Sequence, residues 1–228
     1  MNQLKKSLLA LMLLCGMTLP AQNIQMHYDL GDDRNYVTTT VEMFKPDQWG
    51  STFFFVDMDY NSADVKGVSQ AYWEIARGLK FWKSPFEVHV EYNGGFGQWQ
   101  PGSAFQVNDA WLFGGNYTWN NADFSRVFTL QAMYKNIRDK HDASFQLTGV
   151  WEMHFANRHM SFTGFADFWR EDNVFESETT RYVFLAEPQL WYNFTSQFSL
   201  GSEVEISSNF AGNKGLMVNP TLAAKWNF

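Results

Sequence analysis

Apolar and polar side chains alternate along much of this chain with period two. In its last fourteen residues, GLMVNPTLAAKWNF, apolar side chains fill nearly every second position from Leu216 to Phe228. The intervening positions include Asn219, Lys225 and Asn227. Successive side chains of a β-strand point to opposite faces, so the pattern predicts a strand with one apolar and one polar face.

Twelve segments of suitable length show this period, with turn-rich stretches between them. Segment 69–80 also fits a short amphipathic helix, through the spacing of Ala71, Ile75 and Leu79, and we assign it as a strand because closed single-chain barrels have an even strand number. The twelve segments are 24–30, 35–44, 51–61, 69–80, 86–94, 105–118, 123–135, 143–155, 160–170, 180–194, 197–209 and 215–228.

The composition favours a membrane β-barrel over a soluble β-protein. Aromatic residues make up 18% of the chain, yet the mean hydropathy is −0.34. Since no long apolar run follows residue 22, a helical membrane protein is excluded. Strands with one apolar face and one polar face produce this combination of many aromatic residues and a low mean hydropathy. We therefore predict an all-β fold, an up-and-down membrane β-barrel of about twelve antiparallel strands.

The N-terminal residues 1–22 have the layout of a secretory signal peptide, and we expect the barrel to occupy residues 23–228. Lys5 and Lys6 precede an apolar run that ends at Leu14, and the small residue Ala21 follows. The only cysteine, Cys15, lies within this segment. A lipid-modified Cys15 is the alternative, but the bulky residues before it disfavour that processing.

The lengths of the gaps predict which ends of the strands lie outside the cell. If the chain starts in the periplasm, the outside gaps, among them 95–104 and 171–179, are mostly longer than the inside ones, as outer-membrane barrels require. The stretch 94–102, GGFGQWQPG, is then an outside loop. Aromatic residues collect at the predicted periplasmic ends, where an interfacial girdle is expected. They are Phe44, Trp82, Phe86, Trp119, Phe124, Phe155, Tyr192, Phe194, Phe198, Trp226 and Phe228.

The stretch PDQWGSTFFFVDMDY, from Pro46 to Tyr60, carries a family resemblance. Together with the preceding signal-like segment, the strand around residues 72–74 and the terminal Phe228, it resembles the nucleoside-specific channel-forming (Tsx-like) outer-membrane barrel superfamily, in an uncharacterised branch. The resemblance implies a twelve-stranded barrel with a narrow pore for nucleosides or similar small solutes. The chain is shorter than that family, with small outside gaps.

The predicted inward face carries the candidate binding residues. Aromatic rings can stack on planar bases, and carboxylates can accept hydrogen bonds from sugar hydroxyls. Carboxylates outnumber basic groups on this face, which favours neutral or cationic solutes over anions. Interior salt bridges, with Arg181 and Lys225 paired to Glu187 or Glu203, are the structural alternative. The candidate lumen residues are Phe53, Phe55, Asp57, Asp59, Glu74 and Glu91.

Other functional classes find little support in the sequence. The net charge of −7 and the lack of a basic cluster argue against nucleic acid as a partner. The histidines lie outside any nucleophile motif, so we predict that the protein is not an enzyme. Glu152, His154 and His159 could suggest a metal, but a structural role is favoured, and we predict neither metal nor cofactor.

These observations predict a passive diffusion channel in the outer membrane. We expect membrane lipid and a nucleoside-like solute as partners, a monomeric state, and recognition by the barrel-assembly machinery through Trp226 and Phe228. A non-conducting barrel with a structural or surface-interaction role is the alternative.

Overall fold

The computed structural model describes residues 21–32, 34–62, 64–140 and 143–228, and these residues form one antiparallel sheet. Residues 1–20 of the predicted signal peptide lie outside the described residues. None of the described residues belongs to a helix long and apolar enough to cross a membrane. The strands are β1 (Ala21–Asp29), β2 (Val37–Asp47), β3 (Gly50–Tyr60), β4 (Val68–Leu79), β5 (Phe86–Gln100), β6 (Ser103–Asn120), β7 (Arg126–Ile137), β8 (Ser144–Phe155), β9 (Met160–Phe175), β10 (Glu178–Ala186), β11 (Gln189–Asn193), β12 (Phe198–Ser208) and β13 (Leu216–Asn227).

The sheet closes on itself as a twelve-stranded barrel. From β1 to β9 each strand pairs with the next along the chain, and β13 closes the ring by pairing with β1. Strands β10 and β11 both pair with β9 on one side and β12 on the other, so they are the two halves of a single barrel strand. The predicted all-β, up-and-down barrel is therefore confirmed, and so is the assignment of segment 69–80 as a strand.

The break between β10 and β11 falls at Glu187 and Pro188. Proline has no backbone N–H to give to the ladder, so it is placed where the pairing is interrupted. The neighbouring strands compensate, because Glu187 N donates to Phe165 O at 3.0 Å and Val204 N donates to Pro188 O at 3.0 Å. Opposite the break, Gly164 adopts a φ of +145°. Glu187 thus lies between two regular half-strands, at a position that alternation with Leu185 and Gln189 directs into the barrel.

The barrel is polar inside and apolar outside. Strand β1 shows this order: Gln25 and His27 are buried, whereas Met26 and Tyr28 between them are exposed. The same alternation runs along β7 and β8. An apolar outer surface of this kind is stable against lipid rather than water. The inward positions therefore correspond to the polar face predicted from the sequence.

The chain termini distinguish the two ends of the barrel. We call the end where β1 begins and β13 finishes the terminal end, and the other the distal end. The terminal end carries exposed aromatic rings, as predicted for a girdle. These rings include Trp82, Phe86, Trp119, Phe155, Tyr192, Phe194, Trp226 and Phe228. Several of them touch across neighbouring strands, with Phe86 and Tyr117 at 5.0 Å between centroids.

Two predicted outside loops are wrong. Most of 95–104 belongs to β5 and β6, which join through Pro101 and Gly102 alone, and most of 171–179 belongs to β9 and β10. Gly95 and Gly97, two of the glycines that suggested a flexible loop at 94–102, are strand positions where a side chain would not fit. A Cβ on Gly95 would press on the backbone of Ala71, and one on Gly97 on the ring of Phe105. Glycine here permits a close packing of ring against strand.

An apolar cluster fills part of the barrel interior, which the expectation of a polar lumen missed. Trp169 and Phe210 lie near the distal end, with their ring centroids 5.9 Å apart and edge to face. Phe210 belongs to the turn between β12 and β13, so this turn folds inward over the lumen. The cluster consists of Ala110, Leu112, Met133, Ile137, Trp169 and Val183, with Leu185 and Phe210 packed against them.

Candidate functional site

Three aromatic rings form a ladder on the inner wall made by β3 and β4. The centroids of Phe53 and Phe55 lie 6.0 Å apart, and those of Phe55 and Tyr72 also lie 6.0 Å apart. All three side chains are partly exposed. The sequence predicted the two phenylalanines, and Tyr72 joins them because it pairs directly with Asp57 across the sheet. The ladder offers ring surface to a solute in the lumen.

Two carboxylates continue this wall toward the distal end. The Thr40 hydroxyl donates to Asp57 at 2.5 Å, and the Thr38 hydroxyl donates to Asp59 at 2.6 Å. Each threonine lies opposite its aspartate in the β2–β3 register. One hydroxyl satisfies only part of a carboxylate, which has two oxygens able to accept. Both aspartates therefore keep accepting capacity toward the lumen.

The two glutamates of the predicted set differ in their surroundings. Glu74 accepts from the Tyr72 hydroxyl at 2.7 Å and from Asn93 at 3.0 Å, and it is partly exposed. Glu91 is only 6% exposed and lies 2.7 Å from Nε2 of the buried His89. The structure thus brings five of the six candidate residues to one accessible wall. Glu91 is instead buried beside His89 on β5.

A second polar wall faces the lumen from β10, β11 and β12. Gln189 donates to Glu203 at 2.6 Å, and Glu187 interacts electrostatically with Glu203 and with Asp57 of the first wall. Near the distal end, Arg34 donates to Glu205 at 3.0 Å and to Asp29 at 3.1 Å. The two walls are thus close enough for their charges to interact.

The lumen lysines are held by tryptophans, which the sequence analysis did not predict. Lys225 Nζ lies 4.1 Å from the centre of the Trp191 ring, and Lys135 Nζ lies 4.2 Å from that of Trp169. Lys135 also donates to Gln146 at 2.7 Å. Trp191 shares strand parity with Gln189 and Asn193, so the alternation itself was the signal that it points inward.

The predicted interior salt bridges to Glu187 and Glu203 are not formed in the described part of the chain. Lys225 lies over Trp191 instead, and Arg181 is exposed beside a register irregularity in β10. The basic partners of lumen acids among the described residues are Arg34, through its ion pairs with Asp29 and Glu205, Lys140 beside Glu171, and histidines. The inner wall is therefore not a network of lysine and arginine bridges.

The histidines at the terminal end have structural contacts. His154 lies 2.9 Å from Glu152 through Nε2 and 2.9 Å from Ser161 through Nδ1. His159 stacks on Tyr192, with 6.4 Å between ring centroids. The described residues contain no group of three histidine, cysteine, aspartate or glutamate side chains that could hold a metal ion.

The fold is similar to that of two solved porins. The KdgM porin matches with a TM-score of 0.53 and 11% identity, over 91% of this chain and 99% of that one. The NanC porin matches with a TM-score of 0.57 and 11% identity, over 91% of this chain and 100% of that one. A search of curated proteins finds no match. Over residues 21–228 the sequence matches the family DUF5020, a domain of unknown function, and the chain belongs to that family.

Proposed function

We propose that this protein is an outer-membrane channel for the passive diffusion of small polar solutes. The observation that carries the proposal is the pair of partly exposed polar walls inside a closed barrel, one with Asp57 and Asp59 and the other with Glu187 and Glu203. A barrel whose lumen served only as a core would bury these carboxylates against basic partners. The similarity in fold to two porins supports the proposal.

The apolar exterior supports the outer membrane as the location. Closed antiparallel barrels with an apolar band and aromatic girdles are the strand architecture that satisfies every backbone group in lipid. Membrane lipid is then the partner of the outer face, and the exposed Trp226 and Phe228 at the end of β13 are the proposed signal for the assembly machinery. We propose a monomer, because the barrel closes within one chain.

Nucleosides are the proposed preferred solutes. The ladder of Phe53, Phe55 and Tyr72 offers ring surface for a planar base, and Asp57 and Glu74 beside it offer acceptors for sugar hydroxyls. This pairing of ring and carboxylate on one accessible wall supports the preference, which also follows from the Tsx-like resemblance of β3.

A non-conducting barrel is the second candidate, and the apolar cluster supports it. Leu112 is fully buried within the barrel and Phe210 closes over Trp169, so part of the interior is packed like a protein core. Such a barrel would serve a structural or surface-interaction role. Neither candidate is an enzyme.

Conductance in planar lipid bilayers separates the two candidates. Purified refolded protein should give discrete single-channel steps in potassium chloride, and proteoliposomes should swell in isotonic nucleoside solution. The control is the same preparation without refolding, which should give neither signal. Folded barrels that insert into the bilayer and conduct no ions would establish the non-conducting alternative.

A further inference from the structure

Glu187 places a carboxyl group in the middle of the barrel. It lies at the break between β10 and β11, and its side chain is surrounded by protein, with its remaining exposure directed to the lumen. Within the described residues its carboxylate has neither a hydrogen bond nor an ion pair. A carboxyl group in this condition is costly to ionise unless a cation binds beside it.

The charges nearest to Glu187 have the same sign. It interacts electrostatically with Glu203 on β12 and Asp57 on β3, and then with Glu205 and Asp167. Glu203 accepts from Gln189, and Asp57 accepts from Thr40, so both are held in place by neutral donors. We call Asp57, Glu187 and Glu203 the mid-lumen carboxylates. Together they form an acceptor-rich site that spans both polar walls.

The basic groups of the lumen are engaged elsewhere. Lys225 lies over Trp191, and Arg34 binds Asp29 and Glu205 near the distal end. His27 Nδ1 is 3.9 Å from Glu203, but the ring also contacts Thr221 at 3.1 Å and Gln25 at 3.0 Å. None of these contacts reaches Glu187. The fold thus supplies the acceptors of a cation site and leaves the cation to come from solution.

The spacing of the carboxylates favours an extended cation over a metal ion. No three ligand-type side chains of the described chain come close enough to coordinate one ion. A cation with two ammonium groups on a short carbon chain can bridge separated carboxylates, since each ammonium group donates up to three hydrogen bonds. The ring of Phe55, two residues from Asp57 on the same face, provides an apolar surface for the carbon chain or a cation–π contact.

We propose that the mid-lumen carboxylates bind small organic cations with primary ammonium groups, and that such cations are a substrate class of the channel. The inference rests on the proposed function, because it assigns a substrate to that lumen. It goes further in assigning the binding to Glu187 and Glu203, which lie on the wall opposite the predicted residues of β3. It also predicts that ionising all three carboxyl groups in the empty site is unfavourable, because like charges repel one another.

Calorimetric titration of the refolded barrel in neutral detergent with 1,4-diaminobutane tests the site. The wild-type protein should bind, and Glu187→Gln and Glu203→Gln should each weaken binding by about tenfold or more, as expected for a charge-assisted contact. Glu87→Gln is the matched control, since this lumen carboxylate accepts from Ser51 and lies outside the site. Equal weakening by Glu87→Gln would show only a general effect of lumen charge and overturn the proposal.

Unfolding measurements separate binding from a structural role. Because Glu187→Gln removes a carboxyl group that makes no hydrogen bond or ion pair with the described residues, the variant should be at least as stable as the wild type in urea while its binding falls. A variant that loses both stability and binding would show that Glu187 acts as a structural group, against the proposal. In a competition experiment, potassium chloride and tetramethylammonium chloride are added to the diamine complex at equal ionic strength. Equal displacement of the diamine by the two salts supports an ammonium site. Stronger displacement by potassium chloride overturns it.

Conductance distinguishes failure of the site from failure of the channel. A barrel that conducts but shows no diamine binding overturns the inference and leaves the proposed function intact. A barrel that binds the diamine but never conducts overturns the proposed function and leaves a cation site in a closed lumen. A conducting barrel should show a current reduced by added diamine, and Glu187→Gln should relieve that reduction.

Discussion

The ammonium group of Lys225 lies 4.1 Å from the centre of the Trp191 ring. Trp191 is fully buried, its Nε1 donates to Gln189 at 3.0 Å, and His27 meets it edge to face. The indole thus connects a lysine of β13, a histidine of β1 and a glutamine of its own strand. Near the terminal end, this one side chain therefore contacts inward-facing residues from three strands of the barrel.

Trp191→Ala should lower the free energy of unfolding by about 3–5 kcal/mol, because it removes a fully buried ring and leaves a cavity. Trp191→Phe should cost less, since it keeps most of the packing. Urea unfolding of the refolded barrel in vesicles, followed by circular dichroism, measures both. The control is Trp49→Ala in the exposed turn between β2 and β3, expected within about 0.5 kcal/mol of wild type. Equal losses at the two positions would contradict the assigned role.

Replacing both Phe53 and Phe55 by alanine should reduce nucleoside uptake in a liposome-swelling assay while the barrel stays folded. Stacking of a base on an aromatic side chain contributes about 1–3 kcal/mol in other proteins, so a reduction of several-fold is expected. Phe54→Ala is the matched control, because Phe54 lies between the two rings on the opposite face of β3. Unchanged uptake in the double variant would refute the stacking hypothesis.

The sequence predicted the barrel because alternation is a local property of each strand. It also placed Asp57, Glu74 and Lys225 on the inward face, through parity alone. What it missed depends on contacts between strands. Nothing local to Trp191 shows that Lys225, far away in sequence, will lie over its ring. The sequence identifies Phe210 only as a turn residue, and its contact with the Trp169 ring is visible only in the folded barrel.

The prediction of a loop at residues 94–102 was wrong for a related reason. Glycines usually mark turns, and the stretch contains several of them. In the barrel the absent side chains of Gly95 and Gly97 make room for the neighbouring strand and for the Phe105 ring, and only the packing against β4 and β6 shows this. Composition alone could not separate a flexible glycine from one required by a close approach.

Gly164→Ala should destabilise the barrel by about 1–3 kcal/mol. Its φ of +145° is a conformation that side-chain-bearing residues rarely adopt, and a Cβ there would press on the carbonyl oxygen of Glu187. Gly149→Ala on β8 is the control, since its added Cβ would meet only Leu130, at 3.9 Å. Thermal unfolding measures both, and an equally stable Gly164→Ala variant would show that the break at Pro188 tolerates a side chain opposite it.

Phe210→Ala should increase single-channel conductance. The ring lies over Trp169 at the distal end, where the turn between β12 and β13 folds toward the lumen, so its removal widens the passage beside the apolar cluster. The side chain is only partly buried, and the loss of stability should be about 1–2 kcal/mol, below the value for a fully buried phenylalanine.

Phe96→Ala is the control for Phe210→Ala, because Phe96 is exposed and alternates with Gly95 and Gly97 on the outer face of β5. It should leave conductance unchanged. If the wild-type barrel is silent and Phe210→Ala conducts, the apolar cluster is a closure of the lumen that this one ring completes. If both are equally conductive, the turn lies clear of the ion path, which then runs between the wall of Asp57 and the wall of Glu203. The measurement therefore locates the path of ions relative to the one region where the interior is packed like a core.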